Sequence, residues 1–168
     1  MKSIETCSEI RETVPNSAVT SDFIVGFCGE TEDEFQQTVN LVREGRFKNS
    51  FIFKYSARTG TKADEEFLDD VPYDVKRRRN NELLAVQNAV TEEDNKTFVG
   101  RTVQILVEGP SKMSVKRDEA GPVVQLTGRT ICDRIVVFED DRRWIGQIIP
   151  VEICSATALT LFGNRIEV

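Results

Sequence analysis

The pattern of apolar and polar positions changes about halfway along the chain. Residues 18–27, which end in the apolar run FIVGF, and residues 50–55 predict strands, and residues 32–44 between them repeat apolar side chains at helical spacing. A strand, a helix and a strand within about 40 residues predict a βαβ unit with parallel strands. Two strands do not make a stable parallel sheet alone, so we expect this half to be incomplete.

Local signals indicate where the helices of this half begin and end. A short helix is predicted over residues 3–13. Thr31 followed by Glu34 predicts a capping box at the start of the next helix, and Gly45 is its candidate C-cap. The apolar run FIVGF at residues 23–27 is typical of a parallel strand that is covered on both faces.

A long helix is predicted over residues 74–95, after a loop at residues 56–73 rich in Gly, Thr, Asp and Pro. Four consecutive basic residues, 76–79, lie in its early turns. Two interpretations stay open for them. They form either a solvated basic face on a connecting helix or a contact with phosphate groups.

Beyond residue 98 the pattern becomes one of short strands separated by turns. The predicted strands cover residues 102–108, 125–130, 135–138, 146–154 and 159–162. About five short strands in about 70 residues predict a small β-barrel of OB-like size. The polar segment 110–123 is expected to be a mobile insert. The predicted fold class is therefore α/β followed by all-β.

Net charge limits how this chain could bind a nucleic acid. It carries 22 basic and 28 acidic residues, a formal charge of −6. Residues 91–168 alone hold 10 basic and 12 acidic residues, so RNA binding requires a local basic cluster. No apolar run approaches the roughly 18–20 residues of a membrane span, and the polar N-terminus does not look like a signal peptide. We predict a cytoplasmic location.

The residue types narrow the chemistry that this chain could perform alone. Histidine is absent, which removes the commonest general base and zinc ligand. Four cysteines occur at positions 7, 28, 132 and 154, too far apart for a CxxC or CxxxCxxC motif. We therefore predict no catalytic residue and no metal ligand, and expect reduced, partly buried thiols.

Several motifs resemble one known family, in one colinear order. TSDFIVGFCGETEDEFQQTVNLV, SFIFKYSARTGTKA and DDVPYDVKRRRNNEL are similar to the end of the catalytic barrel of radical S-adenosylmethionine tRNA methylthiotransferases of the MiaB type. VQILVEGPSK, LTGRTICDRIVVF and IGQIIPVEI resemble the TRAM domain of the same family. Cys28 and Thr59 stand where the family usually has proline, which affects loop stiffness rather than chemistry.

The resemblance implies a domain organisation and a set of cofactors. It assigns residues 1–73 to the C-terminal remnant of a radical SAM barrel, 74–97 to a connecting helix and 98–168 to a TRAM-like β-barrel. The intact family uses S-adenosylmethionine and two 4Fe-4S clusters. Because the cluster-binding cysteines of that family are missing from this sequence, we expect none of these cofactors to bind stably to this chain alone.

The resemblance also implies candidate cofactor-binding residues at the ends of the two predicted strands: Ile24, Val25, Gly26, Tyr55, Ser56 and Arg58. The first three would approach the adenine of S-adenosylmethionine, since a glycine lets the backbone come close to a ligand; alternatively, FIVGF is only a core strand. Arg58 would hold a carboxylate or phosphate. The alternative for Arg58 is a structural salt bridge to Glu30 or Asp64.

In the barrel, the candidate RNA-binding residues are Lys112, Arg129, Arg134, Arg142, Arg143 and Trp144. Arg129 and Arg134 bracket a tight connection and are the preferred phosphate contacts. Trp144 either stacks on a base, as aromatic residues of OB-like folds do, or packs in the core. Phe138 is expected to lie in the core.

The function that the resemblance implies is methylthiolation of an isopentenylated adenosine beside the tRNA anticodon. The expected partners are the tRNA anticodon stem-loop and the N-terminal part of such an enzyme, with no DNA and no membrane. We expect the chain to be inactive alone. One alternative is a stand-alone tRNA-binding module built on the TRAM-like barrel, and another is a structural remnant that folds only in part.

Overall fold

The computed structural model describes residues 2–15, 17–118 and 120–167. The chain divides into two compact units, Met1–Thr91 and Glu92–Val168, each with its own hydrophobic core. Within the described residues, no helix combines the length and the apolarity that crossing a bilayer would demand.

The first unit contains the predicted strand–helix–strand sequence. Strands β1 and β2 pair in parallel, in a register that runs from Thr20 opposite Asn49 to Val25 opposite Lys54. The elements are α1 (Lys2–Thr13), β1 (Thr20–Val25), α2 (Glu32–Gly45), β2 (Asn49–Lys54), α3 (Lys62–Glu66) and the long helix α4 (Tyr73–Lys96). The predicted helices are confirmed, whereas α3 lies in a segment that the sequence predicted as loop.

Only one face of the two-stranded sheet is covered. Phe23 and Val25 are buried in a core cluster that includes Phe35 of α2. On the opposite face, the exposed fraction is 57% for Ile24 of β1, and 65% and 53% for Phe51 and Phe53 of β2. The prediction that FIVGF is covered on both faces is therefore wrong for this chain, because helices lie on one side of the sheet only.

The two ends of α2 differ in how well the sequence predicted them. The capping box is confirmed: the Thr31 hydroxyl accepts from the Glu34 N–H, and the Glu34 carboxylate accepts from the Thr31 N–H. Gly45, however, is the last helical residue, and Arg46 is the C-cap with a left-handed φ of 44°. The Arg11 guanidinium donates to the carbonyls of Gly45 and Arg46, which satisfies the helix end.

Buried polar side chains attach α4 to β2 and to the turn before it. Ser50 donates to the Gln87 side-chain oxygen at 2.8 Å, while the Gln87 amide nitrogen donates to the Phe47 carbonyl and to the Thr91 hydroxyl. Asn80 donates to the Ile52 carbonyl. These bonds satisfy polar groups that would otherwise be buried without partners.

The basic run at the start of α4 has a structural role. Lys76 and Arg79 are buried, and they pair with Asp69 at 2.5 Å and with Glu30 at 2.7 Å respectively. Neither a solvated face nor a phosphate contact fits these two residues. Both interpretations overlooked that a cation in a helix turn can be buried when a carboxylate accompanies it.

The second unit is a closed five-stranded barrel with the strand order β3-β4-β5-β7-β6, closed by pairing between β6 and β3. Its strands are β3 (Thr102–Pro110), β4 (Val123–Thr130), β5 (Ile135–Asp141), β6 (Ile148–Ala156) and β7 (Leu161–Arg165). Neighbouring strands are antiparallel except β5 and β7, which are parallel. The predicted small β-barrel is confirmed.

Alternating side chains of these strands fill the barrel. The core residues are Ile105, Val107, Val124, Leu126, Val136, Phe138, Ile149, Val151, Ile153 and Leu161. Phe138 is buried, as the sequence predicted. The period of two along each strand puts every second residue inside, which is why the sequence pattern was informative here.

Two short helical segments, one an α-helix and the other a 3₁₀ turn, connect strands of the barrel. The predicted mobile insert instead contains α5 (Lys112–Lys116), which Ser111 caps by accepting from the Ser114 N–H. Ser111 is itself bonded to Gln125 of β4, through its N–H and its hydroxyl. A 3₁₀ turn at Arg142–Trp144 follows β5. The segment 111–116 is therefore attached to β4 through Ser111.

Candidate nucleic-acid interface

The predicted cofactor residues of β1 point in different directions. Val25 is fully buried, whereas Ile24 is exposed on the open face of the sheet. Consecutive strand residues project to opposite faces, so these two side chains cannot contact one ligand together. Only Ile24 is available to a molecule on the open face.

Gly26 makes room for a side chain of the protein itself. A Cβ at this position would overlap the aliphatic stem of Lys76, and its φ of +71° also favours glycine. The Lys76 ammonium lies 5.1 Å from the centre of the Tyr55 ring. The close approach that the sequence assigned to a ligand is thus made by Lys76.

Tyr55 belongs to an aromatic cluster that the sequence did not reveal. Its ring lies 4.9 Å from that of Phe27, which lies 6.1 Å from Phe67, both in edge-to-face geometry. A hydrogen bond with Cys28 raises the pKa of the Tyr55 phenol, with burial as the next cause. Aromatic residues scattered over 40 positions carry no periodic signal, so only the fold brings them together.

Ser56 and Arg58 are exposed beyond the end of β2. The alternative salt bridge from Arg58 to Glu30 or Asp64 is absent from the described part of the chain. Glu30 instead accepts from the Arg79 guanidinium and from the Gly26 N–H, at 2.7 and 2.6 Å. The Arg58 side chain is therefore available to an anion.

The cysteines do not fit an iron–sulfur cluster. Cys7 is buried, Cys28 and Cys132 are half-buried, and Cys154 is exposed. No group of three or more potential metal ligands occurs among residues 2–15, 17–118 and 120–167. Because a 4Fe-4S cluster needs several thiolates around one point, we derive no chemistry from such a cluster in this chain.

The predicted RNA-binding residues lie at the two opposite ends of the β4–β5 hairpin. Arg129 pairs in register with Ile135 beside the β4–β5 turn, whereas Asp141, directly before Arg142, is opposite Val123 at the other end. Six residues of strand separate the two positions, which is about 20 Å. The six candidates therefore do not form one site.

Both arginines at the β4–β5 turn are engaged by carboxylates. Arg129 contacts Glu108 at 3.1 Å and Asp133 at 2.6 Å, and these contacts raise its pKa, the bond to Asp133 contributing most. Arg134 is buried and donates to Asp94 and Asn95, each at 2.5 Å. Arg134, directly before β5, thus links the β4–β5 turn to the last turn of α4, and a phosphate could reach it only after these bonds break.

The opposite end holds the 3₁₀ turn in a well-defined position. The Arg142 N–H donates to the Pro122 carbonyl at 2.8 Å and its Nε to the Gly121 carbonyl at 3.0 Å. The Asp141 carboxylate caps the turn by accepting from the Arg143 N–H. The Arg143 guanidinium is exposed and lies 4.9 Å from the centre of the Trp144 ring.

Trp144 is held by contacts with the barrel and is not a free stacking platform. Its ring packs against the barrel core, and its indole N–H donates to Asp140 at 3.1 Å. The Arg165 guanidinium lies 4.7 Å from the ring centre and donates to the same carboxylate at 2.7 Å. Burial opposes ionisation of Asp140, but bonds from the Asp141 N–H, Arg165 and Trp144 outweigh it and lower its pKa.

Helix α5 adds exposed lysines at this same end. Lys112 and Lys116 are exposed, and neither makes an ion pair with another described residue. Ser111 anchors α5 on Gln125 near the start of β4, and Arg142 is anchored on Pro122 directly before β4, so both pieces attach at the same end of this strand. The sequence predicted Lys112 as an RNA contact, but it did not indicate that β4 would bring Lys112 to the same end of the barrel as Arg143.

Comparison with known proteins relates the barrel to one domain family and nearly the whole chain to one group of enzymes. Residues 96–165 match the family described as "TRAM domain". The chain is 54% identical over 161 residues to the tRNA-2-methylthio-N(6)-dimethylallyladenosine synthase of Rhodopirellula baltica, an alignment that covers 96% of this chain and 34% of that protein.

Enzymes of the same name from other bacteria are also similar. Identity is 40% over 164 residues for Porphyromonas gingivalis and 40% over 163 residues for Methylacidiphilum infernorum, covering 98% and 97% of this chain. The chain spans about a third of the length of these relatives, 34% and 33%. Residues 96–165 are therefore similar to TRAM domains, and nearly the whole chain is similar to a segment that makes up about one third of the length of tRNA-2-methylthio-N(6)-dimethylallyladenosine synthases.

Proposed function

We propose that this chain is part of a MiaB-type radical SAM tRNA methylthiotransferase, which methylthiolates isopentenyladenosine next to the tRNA anticodon. The observation that carries the proposal is the 54% identity over 161 residues with an enzyme of that name. Within such an enzyme, the TRAM barrel contacts the anticodon stem-loop of tRNA. Because tRNA is the proposed substrate, we also propose a cytoplasmic location.

We assign residues 1–73 to the end of a radical SAM barrel, 74–97 to the connecting helix and 98–168 to the TRAM-like, OB-like barrel. Support for the first assignment comes from the parallel strands β1 and β2 and from the uncovered apolar face of their sheet. A face of this kind is what further strands of a β/α barrel would cover.

Under this proposal, the cofactors bind mainly through other parts of the enzyme. Ile24, Tyr55, Ser56 and Arg58 remain candidates for contact with S-adenosylmethionine, since none is fully buried. Val25 and Gly26 can contribute through their backbone only. The radical chemistry belongs to clusters whose ligands this chain does not provide, so we expect the chain alone to be inactive.

Two measurements test the proposal on the 168-residue chain. After incubation with iron and sulfide, we expect no stable absorbance near about 400 nm, where such clusters absorb. A polarisation titration with labelled anticodon stem-loop RNA at low salt should show binding that weakens as salt rises. A stable cluster would refute the expected inactivity, and absence of RNA binding at low salt would refute the role of the barrel.

The alternative is a stand-alone tRNA-binding module. The closed barrel with its own core favours it, because such a unit needs no further strands to fold. The two functions differ in one measurable respect. A module that acts alone should bind the stem-loop as tightly as the full-length relative does, whereas one third of an enzyme should bind more weakly.

A further inference from the structure

We propose that the barrel contacts RNA phosphates at the end that carries α5 and the 3₁₀ turn, and that Asp140 is the positioning residue for a contact made by Arg143. We call this the α5 end, defined by Lys112–Lys116, Arg142–Trp144 and residues 121–125, which lead into β4 and form its start. The inference rests on the proposed function, because it specifies which face of the TRAM barrel meets the RNA.

The guanidinium groups at the two ends of the β4–β5 hairpin differ in whether carboxylates already bind them. At the β4–β5 turn, Arg129 has two carboxylate partners, and Arg134 is buried with its own. A phosphate there would have to displace carboxylates. At the α5 end, the Arg143 guanidinium contacts no carboxylate of the described chain and already faces solvent. An unpaired, exposed guanidinium is the group that a phosphate can bind in bidentate fashion.

Hydrogen bonds hold the backbone of Arg143 in place. Its N–H donates to the Asp141 carboxylate at 2.8 Å, and its carbonyl accepts from the Gln147 amide at 2.8 Å. Its guanidinium lies over the Trp144 ring. A side chain that is already ordered loses less entropy when it binds a phosphate.

Asp140 holds the Trp144 ring and the 3₁₀ turn in place. This carboxylate accepts from the Trp144 indole, from Arg165 of β7 and from the Asp141 N–H. It thereby fixes the ring on which Arg143 lies, and it ties the 3₁₀ turn to the last strand of the barrel. A carboxylate repels a phosphate, so the role of Asp140 in RNA binding is to position Arg143.

If Asp140 is replaced, a purely electrostatic role and a positioning role predict opposite changes in RNA affinity. Replacing Asp140 by Asn removes a negative charge beside the proposed interface. If only net charge mattered, RNA binding would become tighter. If Asp140 positions Arg143, binding becomes weaker, because an amide cannot hold the Arg165 guanidinium as an ion pair.

The experiment is a polarisation titration of the 168-residue chain with labelled anticodon stem-loop RNA at several salt concentrations. We expect Arg143→Ala to weaken binding about tenfold and to reduce the salt slope by about one unit, as loss of one phosphate contact does. Asp140→Asn should weaken binding at least about threefold with a reduced slope. In the Arg143→Ala background, Asp140→Asn should have no further effect.

The matched control is Arg129→Ala, which removes the same charge from the opposite end of the hairpin and should leave binding within about twofold of the wild type. Trp144→Phe keeps a ring and the net charge but loses the bond to Asp140. It should weaken binding in the same direction as Asp140→Asn, and it serves if the latter does not fold. Circular dichroism at the assay temperature identifies unfolded variants.

Three results would overturn the inference. They are tighter binding by folded Asp140→Asn, additive losses in the double variant, and a loss in Arg129→Ala as large as that in Arg143→Ala. Absence of binding by the wild-type chain is a different outcome, since it would refute the proposed function as well. The wild-type titration therefore separates the two failures.

Discussion

Lys76 lies where a side chain on Gly26 would have to be. Its aliphatic stem fills the space beside the Gly26 Cα, and its ammonium pairs with Asp69 at 2.5 Å. The buried lysine and the glycine therefore depend on each other, although 50 positions separate them along the chain.

This relationship predicts that Gly26→Ala destabilises the first unit by about 2–3 kcal/mol, since a left-handed φ and a steric overlap both oppose the added methyl. Urea unfolding followed by circular dichroism measures it. Gly29→Ala is the control, because Gly29 has a φ of +75° but no neighbouring atom within 4 Å. Its cost should be about 1 kcal/mol. Equal costs for the two variants would contradict the role of Lys76.

Arg134 should matter more for stability than for RNA binding. Arg134→Ala removes the partner of Asp94 and of Asn95, so we expect a loss of about 2–4 kcal/mol from the barrel. Trp144 is the single tryptophan of the chain and lies in this unit, so its fluorescence during urea unfolding reports the change. Arg129→Ala, which breaks only exposed pairs, should cost at most about 1 kcal/mol.

Glu32 should titrate at unusually low pH. Its bond to Arg78, at 2.6 Å, is the main reason why its pKa falls from 4.5 to about 2. A carboxylate with a lowered pKa in the folded state contributes stability above the unfolded value, and that contribution is lost as the pH falls from about 4.5 to about 2. Carboxyl NMR of the wild type and of Arg78→Ala tests this. In the variant the Glu32 pKa should rise towards 4.5, and an unchanged value would contradict the assignment.

The open sheet face should bind hydrophobic dye. Phe51 and Phe53 lie 6.3 Å apart as stacked rings and are both more than half exposed. Replacing both by Ser should reduce the fluorescence of added ANS while changing stability by no more than about 1 kcal/mol. Phe23→Ala on the covered face should instead cost about 3–5 kcal/mol. Undiminished dye binding by the double variant would show that the dye binds elsewhere.

Local signals predicted much of this fold because they act over a few residues. The Thr31–Glu34 capping box and the alternation that buries Leu126 and Phe138 could be recognised from neighbouring positions alone. Gly45 misled because a glycine near a helix end need not be the cap. Here the Phe47 ring leaves no room for a Cβ at Gly45, and Arg46 adopts the left-handed conformation.

The candidate site was less predictable, because it depends on which charges meet. The sequence favoured Arg129 and Arg134 for their spacing, yet their partners include Glu108 and Asp94, which lie 21 and 40 positions away. Asp140 gave no signal at all, since its importance comes from Arg165 on another strand. Pairing of distant charges follows from the closed barrel and not from any local pattern.

The final turn of α4 is bonded to the barrel that follows it. Asp94 and Asn95 hold Arg134, and the Asn95 amide also donates to the carbonyls of Thr157 and Ala158 in the loop between β6 and β7. A gene fusion or expression clone that starts at β3 would leave the buried Arg134 guanidinium without its carboxylate partner. It would also remove the hydrogen bonds that hold the loop between β6 and β7. The segment that can be transferred to another protein therefore starts inside α4. Evolution, or an engineer who moves the barrel, has to move the last turn of this helix with it.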